Sequence, residues 1–166
     1  MGDAKVGEDF IKHEFDEAIA IQQCIVDAES SLAKTHPVDS AKRAVKSALA
    51  ADEKYLQQLR TLGKQHDATG EVEDVAGGLK ELMESTLLKA NGEGAESDYY
   101  EAHAVLLNLK RKQWDSAGGM LAIARDQKAT KLRDAAKDFQ AGQKETSTAL
   151  TKELAAFAVQ IAGQAA

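Results

Sequence analysis

Along most of the chain, apolar residues recur every three or four positions with polar residues between them, the spacing of an amphipathic helix. The first such stretch carries Ile11, Phe15, Ala18, Ile25 and Leu32, flanked by Ile19, Ile21 and Val26, and predicts a helix over about 6–34. The segment Thr35-His36-Pro37-Val38 ends it, because Pro37 disfavours helical geometry at His36 and has no N–H to donate. Asp39 or Ser40 is a suitable N-cap for a second helix over about 40–65, with the stripe Ala41, Val45, Ala48, Leu49, Asp52, Leu56 and Leu59. Gly63 and the polar run His66 to Gly70 close that helix. A shorter helix, about 72–90, places Val75, Leu79, Leu82, Met83 and Thr86 on one side despite the Gly77-Gly78 pair. After the loop Asn91 to Gly94, Ser97 or Asp98 can cap a helix over about 98–125. Its stripe is Tyr99, Ala102, His103, Leu106, Leu109, Gln113, Ala117 and Met120. The last helix, about 129–162, carries Leu132, Ala136, Phe139, Gln143, Thr146, Leu150, Leu154, Phe157 and Ile161.

These elements predict a single all-α domain spanning 1–166. Short loops join the first two long helices and the last two, so each pair should form an antiparallel hairpin. Between the hairpins lies a long crossover, Lys64 to Glu96, with the shorter helix inside it. Two long hairpins and one long crossover are expected of a ferritin-like four-helix bundle with a short extra helix. Composition agrees: aromatics make up 5%, and Ala, Leu, Lys, Glu and Gln, all good helix formers, dominate over the β-branched residues of a sheet protein. The net charge of −6 disfavours a nucleic-acid partner. The basic run Lys110-Arg111-Lys112 is interleaved with acids further on and reads as a solvated helix surface. A lone cysteine, Cys24, excludes an internal disulfide. No apolar run approaches a membrane span, and Met1 to Lys5 lack the apolar core of a secretory signal, so a cytoplasmic location is expected.

Three stretches carry a resemblance: Ala48–Gly63 (ALAADEKYLQQLRTLG), Val72–Ser85 (VEDVAGGLKELMES) and Tyr99–Leu109 (YYEAHAVLLNL). With the helix lengths, they make the chain resemble the ferritin-like superfamily, and within it the bacterial stress-associated YciE/YciF-like group. The resemblance implies a bundle fold and a link to stress. It also implies a di-iron centre built from a carboxylate on each of two helices and a Glu-x-x-His pair on each of the others. That signature is absent: Glu53 is followed three residues on by Leu56, Glu101 by Ala104 and Glu145 by Thr148, and no Glu-x-x-His occurs anywhere.

The stripes also say which polar side chains point inward. They are Glu14, Gln22 and Glu29 on the first helix, Asp52 on the second, His103 and Gln113 on the fourth, and Gln143 and Thr146 on the fifth. Glu153 lies at that last stripe's edge, while His13, Glu53 and Glu101 fall outside. One reading is a residual metal site of Glu14, Asp52 and His103, suited to iron, zinc or manganese. The other is a hydrogen-bonded polar layer in which Asp52 accepts from His103, Gln22, Gln143 or a tyrosine hydroxyl. His36 and His66 fall in loops and read as surface residues, and Cys24 as a small buried hydrophobe. No nucleophile elbow, phosphate-binding loop or dinucleotide fingerprint occurs. The expected function is therefore a non-catalytic, ferritin-like bundle with a structural or interaction role and no cofactor. The alternative is a degenerate metal-binding or oxidoreductase member of the same superfamily. A third reading is a small-molecule binder with a cavity near His103 and Trp114. The surplus apolar residues Ile19, Ile21 and Val26 suggest a homodimer.

Overall fold

The computed structural model describes residues 2–164. Five helices follow one another: α1 (Gly2–Thr35), α2 (Asp39–Gly63), α3 (Asp74–Lys89), α4 (Glu96–Asp126) and α5 (Thr130–Gly163), with a single 3-10 turn, Lys64–His66, after α2. No strand occurs among the described residues, and no helix there is long and apolar enough to cross a membrane. The helix ends lie within a few residues of those expected from periodicity. The caps differ. Asp39 is the first residue of α2 instead of its cap, and Val38 precedes it. At α4 the Asp98 carboxylate accepts the Ala95 N–H at 3.0 Å, satisfying one donor at the helix start.

Each long helix packs closely on two of the other three. α1 packs on α2 and α4, and α5 packs on α2 and α4; the diagonal pairs have no close backbone approach, and α2 and α4 meet across the interior through the Lys110 and Asp52 side chains. Every neighbouring pair is antiparallel. On α1 and α4, Glu29 meets Lys110 and Glu17 meets Lys112. On α2 and α5, Ser40 meets Glu153 and Asp52 meets Gln143. On α4 and α5, Glu96 meets Gln160 and Trp114 meets Gln140. The directions are therefore up for α1, down for α2, down for α4 and up for α5. The crossover must return from the bottom to the top, and α3 spans that distance while packed on α1 and α4.

Two anchors hold the crossover. Asp16 of α1 accepts the backbone N–H groups of Thr69 and Gly70 at 2.7 and 2.9 Å. Gly70 has φ +83°, and a Cβ there would lie 2.6 Å from Ile19 Cγ2, so this position needs glycine for both backbone and space. The face of α3 differs from the expected one. Ala76, Met83 and Thr86 are buried, but Val75 is 69% exposed and Leu82 47%. The two glycines weaken the periodic signal there, and the helix is turned so that Ala76 replaces Val75 at the contact. Ile19, Ile21 and Val26 are all buried within the chain. The surplus that suggested a second copy is thus covered by the chain's own crossover and neighbouring helices.

The interior has two apolar ends. One holds Ile25, Leu32, Met83, Leu106, Leu150 and Phe157. The other holds Phe15, Leu59, Met120 and a stacked Tyr55–Phe139 pair with ring centroids 3.9 Å apart. Between them each of the four long helices also buries at least one polar side chain.

Candidate functional site

The polar middle is built from one residue or two per long helix. α1 supplies Gln22 and Glu29, α2 Asp52, α4 Lys110 and α5 Gln143, all buried. Lys110 is only 1% exposed. This corrects its reading as part of a solvated basic run; Arg111 does face outward, while Lys112 is half-buried and paired with Glu17 of α1. The Lys110 Nζ donates to Glu29 Oε1 and to Asp52 Oδ2, both at 2.7 Å. Asp52 Oδ1 accepts the Gln22 amide at 2.9 Å and the Gln143 amide at 2.6 Å. Gln22 also reaches the Asp52 carbonyl at 3.1 Å, which ties α1 to α2 at this level.

Burial pushes the Glu29 carboxyl up to about 8; Lys110 pulls it down and the Asp52 charge beside it pushes it further up. Glu29 therefore gives up its proton less readily than an ordinary carboxyl. With that proton kept, the cluster of one ammonium and two acids carries no net charge in the dry interior. That is the arrangement under which a buried pair is tolerated, since an uncompensated interior charge would cost several kcal/mol, roughly 3–5 when one partner is removed.

Asp52 is fully engaged and does not suit a metal ion, while Glu29 Oε2 and Gln22 Oε1 are buried without a partner. A metal ion needs lone pairs aimed at it. Here Asp52 spends one oxygen on two amide donors and the other on the ammonium, and Glu29 spends one oxygen on the same ammonium. Gln22 and Gln143 present their N–H groups to Asp52, which repel a cation. The positive charge at the centre is supplied by Lys110 itself.

The residues expected to bind a metal are not gathered. Asp52 is in the cluster. Glu14 lies eight residues before Gln22 on α1, about 12 Å along the axis at roughly 1.5 Å per residue. There it forms a grouping with His13 and Glu17, whose ligand atoms lie within 4.8 Å of one another among the described residues. Glu17 in that grouping is already paired with Lys112 at 3.1 Å. His103 lies seven residues before Lys110 on α4, about 10 Å away toward the opposite end by the same rise. Of the expected acceptors' partners, Gln22 and Gln143 do bond Asp52, whereas His103 does not.

His103 instead meets His36, which is fully buried and not a surface residue. The pair forms a relay with a fixed direction. The Val38 N–H donates to His36 Nδ1 at 3.1 Å, so that nitrogen is the acceptor. The proton of His36 is then on Nε2, which faces His103 Nδ1 at 3.4 Å. His103 in turn carries its proton on Nε2 and donates to the Leu150 carbonyl at 3.0 Å. A second proton on either ring would have no acceptor. Burial lowers the His36 pKa to about 4 and lowers that of His103 as well. Both rings are thus neutral, and the relay links the α1–α2 turn to α4 and α5. Phe157 and Tyr99 pack around His36 and seal it.

Other candidates are inert by environment. Burial pushes the Cys24 thiol up to about 11, which keeps it protonated and unreactive. Gln113 donates to the Ala18 carbonyl at 2.9 Å and acts as an interhelical tie. His66 stacks on Phe15 at 5.1 Å. No family model matches the chain, and no curated protein matches its sequence.

Proposed function

We propose that this chain is a ferritin-like four-helix bundle in which a lysine takes the place of a metal centre, and that it serves as a non-catalytic structural or interaction protein. The observation that carries this reading is Lys110. Its ammonium sits between Glu29 and Asp52 at the polar level where facing helices of such bundles direct carboxylates inward. The helix directions and the crossover helix support the fold side of the proposal. A stress-associated role rests on the resemblance of Ala48–Gly63, Val72–Ser85 and Tyr99–Leu109 alone. A polar cluster whose charges balance internally holds four helices in one register, a use well attested for buried polar groups in helix assemblies.

The test is elemental analysis of protein purified without chelator, followed by calorimetric titration with iron(II) and manganese(II). The expected result is no saturable binding of either ion at the interior. One or two ions per chain, lost on Asp52→Ala and kept in Glu14→Gln, would overturn the proposal. Ions lost on Glu14→Gln alone would locate binding at the helix surface and leave the interior reading standing.

A further inference from the structure

We propose that the outer groove between α4 and α5 binds a small aromatic anion, a planar ring carrying a carboxylate or a similar acid. The groove has a volume of about 560 Å³, within the roughly 300–1,000 Å³ range of small-molecule sites. Its chemistry is one-sided. Arg111 and Lys144 stand on its rim and no acid lines it among the described residues; Lys110 lends only its stem to the floor, since its ammonium is buried between Glu29 and Asp52. That is unusual on a chain of net charge −6. The other large groove, between α2 and α5, is lined by Lys54 and Lys131 together with Asp134 and Asp138, so its charges balance.

Trp114 gives the groove its aromatic wall. It is 39% exposed, yet its indole is held in place: Nε1 donates to the Gln140 carbonyl at 3.3 Å, and the Gln140 amide donates back to the Trp114 carbonyl at 3.1 Å. A large ring fixed open to solvent is a stacking surface. The Arg111 guanidinium lies 5.7 Å from the ring centroid, while its Nε holds Asp115 at 3.2 Å. The remaining guanidinium N–H groups are free to meet an acid at the edge of a ring stacked on Trp114. Lys144 makes no ion pair among the described residues and supplies the second cation. Ser147 and Thr151 add hydroxyls on the α5 side, and Leu107 an apolar end. Gln143 lines the groove from below and also bonds Asp52, so the site stands directly over the buried cluster without using its bonds. His103, once placed beside such a cavity, is sealed away from it.

Trp114 is the chain's only tryptophan, so its fluorescence reports this groove alone. Three probes separate the parts of the proposal: 2-naphthoate (ring and charge), 2-naphthamide (ring without charge) and acetate (charge without ring). Saturable quenching by 2-naphthoate is expected, at least tenfold tighter than by the amide, with no saturable response to acetate. Arg111→Ala and Lys144→Ala, both at exposed positions, should each weaken naphthoate at least threefold and leave the helical circular dichroism unchanged. Equal binding of the acid and the amide would overturn the proposal, as would naphthoate binding that ignores both substitutions, or acetate quenching as strongly as naphthoate.

Discussion

Replacing Lys110 by methionine keeps most of the stem's volume and removes only the charge and two 2.7 Å hydrogen bonds. What remains is a buried Asp52 carboxylate held by the Gln22 and Gln143 amides, with no cation near it. Removing one partner of a buried pair costs about 3–5 kcal/mol because the other charge is left uncompensated. A domain of this size has a total stability of about 5–15 kcal/mol, so Lys110→Met should lose a large share of it. At roughly 2–4 °C per kcal/mol, the melting temperature should fall by roughly 6–20 °C. Asp52→Asn in the same chain removes the orphaned charge and retains an acceptor for the amides. The double variant should therefore recover most of the loss, with a coupling of about 2 kcal/mol or more in the cycle. Urea unfolding at pH 7, followed by circular dichroism and tryptophan fluorescence together, measures all three variants and checks two-state behaviour. A loss below about 1 kcal/mol in Lys110→Met, or additive losses in the double variant, would refute the buried ion cluster.

Stability should also depend on pH through two groups that act in opposite directions. His36 titrates at about 4 in the folded chain against 6.5 ordinarily. The unfolded state therefore binds more protons in that interval, and on the order of 3 kcal/mol is lost as pH falls through it. Glu29 runs the other way: its folded value is about 8 against 4.5, so its contribution is complete below 4.5 and lost as pH rises toward 8. Between about pH 4.5 and 6.5 the two slopes oppose each other, so the urea midpoint should be nearly level there and fall above 6.5; Glu29→Gln should remove the alkaline fall and expose the His36 limb on the acid side, and an unchanged alkaline limb would remove Glu29 from that role. His103→Leu should leave the His36 Nε2–H and the Leu150 carbonyl without partners, at about 1–3 kcal/mol each, and should alter the acid limb of the same profile. Gly70→Ala should cost about 1–3 kcal/mol through the positive φ and the Ile19 contact, read as a lower melting temperature; a neutral result would show that the crossover shifts freely there.

The helices were legible because a 3.6-residue period over stretches of 25 to 34 residues leaves little ambiguity. The same period correctly turned Gln22, Glu29, Asp52, His103, Gln113 and Gln143 inward. Lys110 carried the same signal, lying seven residues after His103 and three before Gln113, but its place in a Lys-Arg-Lys run favoured a surface reading. His36 was obscured for a different reason. Its neighbour Pro37 marks a turn, and turns usually face water, yet the ring faces inward against Tyr99, His103 and Phe157. Which polar side chains meet was legible only in part: Asp52 does accept from Gln22 and Gln143, as expected, but its pairing with Lys110 and the meeting of His103 with His36 were not foreseen. Asp52 and His103 share an inward direction but sit on separate levels set by the register of the helices, while Glu14 is only half-buried beside His13; periodicity gives an approximate direction and no register.

Anomalous diffraction from crystals grown with excess iron(II) or manganese(II) tests most directly the proposal that Lys110 holds the place a metal would take. The expected map shows the Lys110 nitrogen bridging Glu29 and Asp52, with no anomalous peak between those two side chains. An anomalous peak at that position, with the Lys110 side chain swung away, would contradict it.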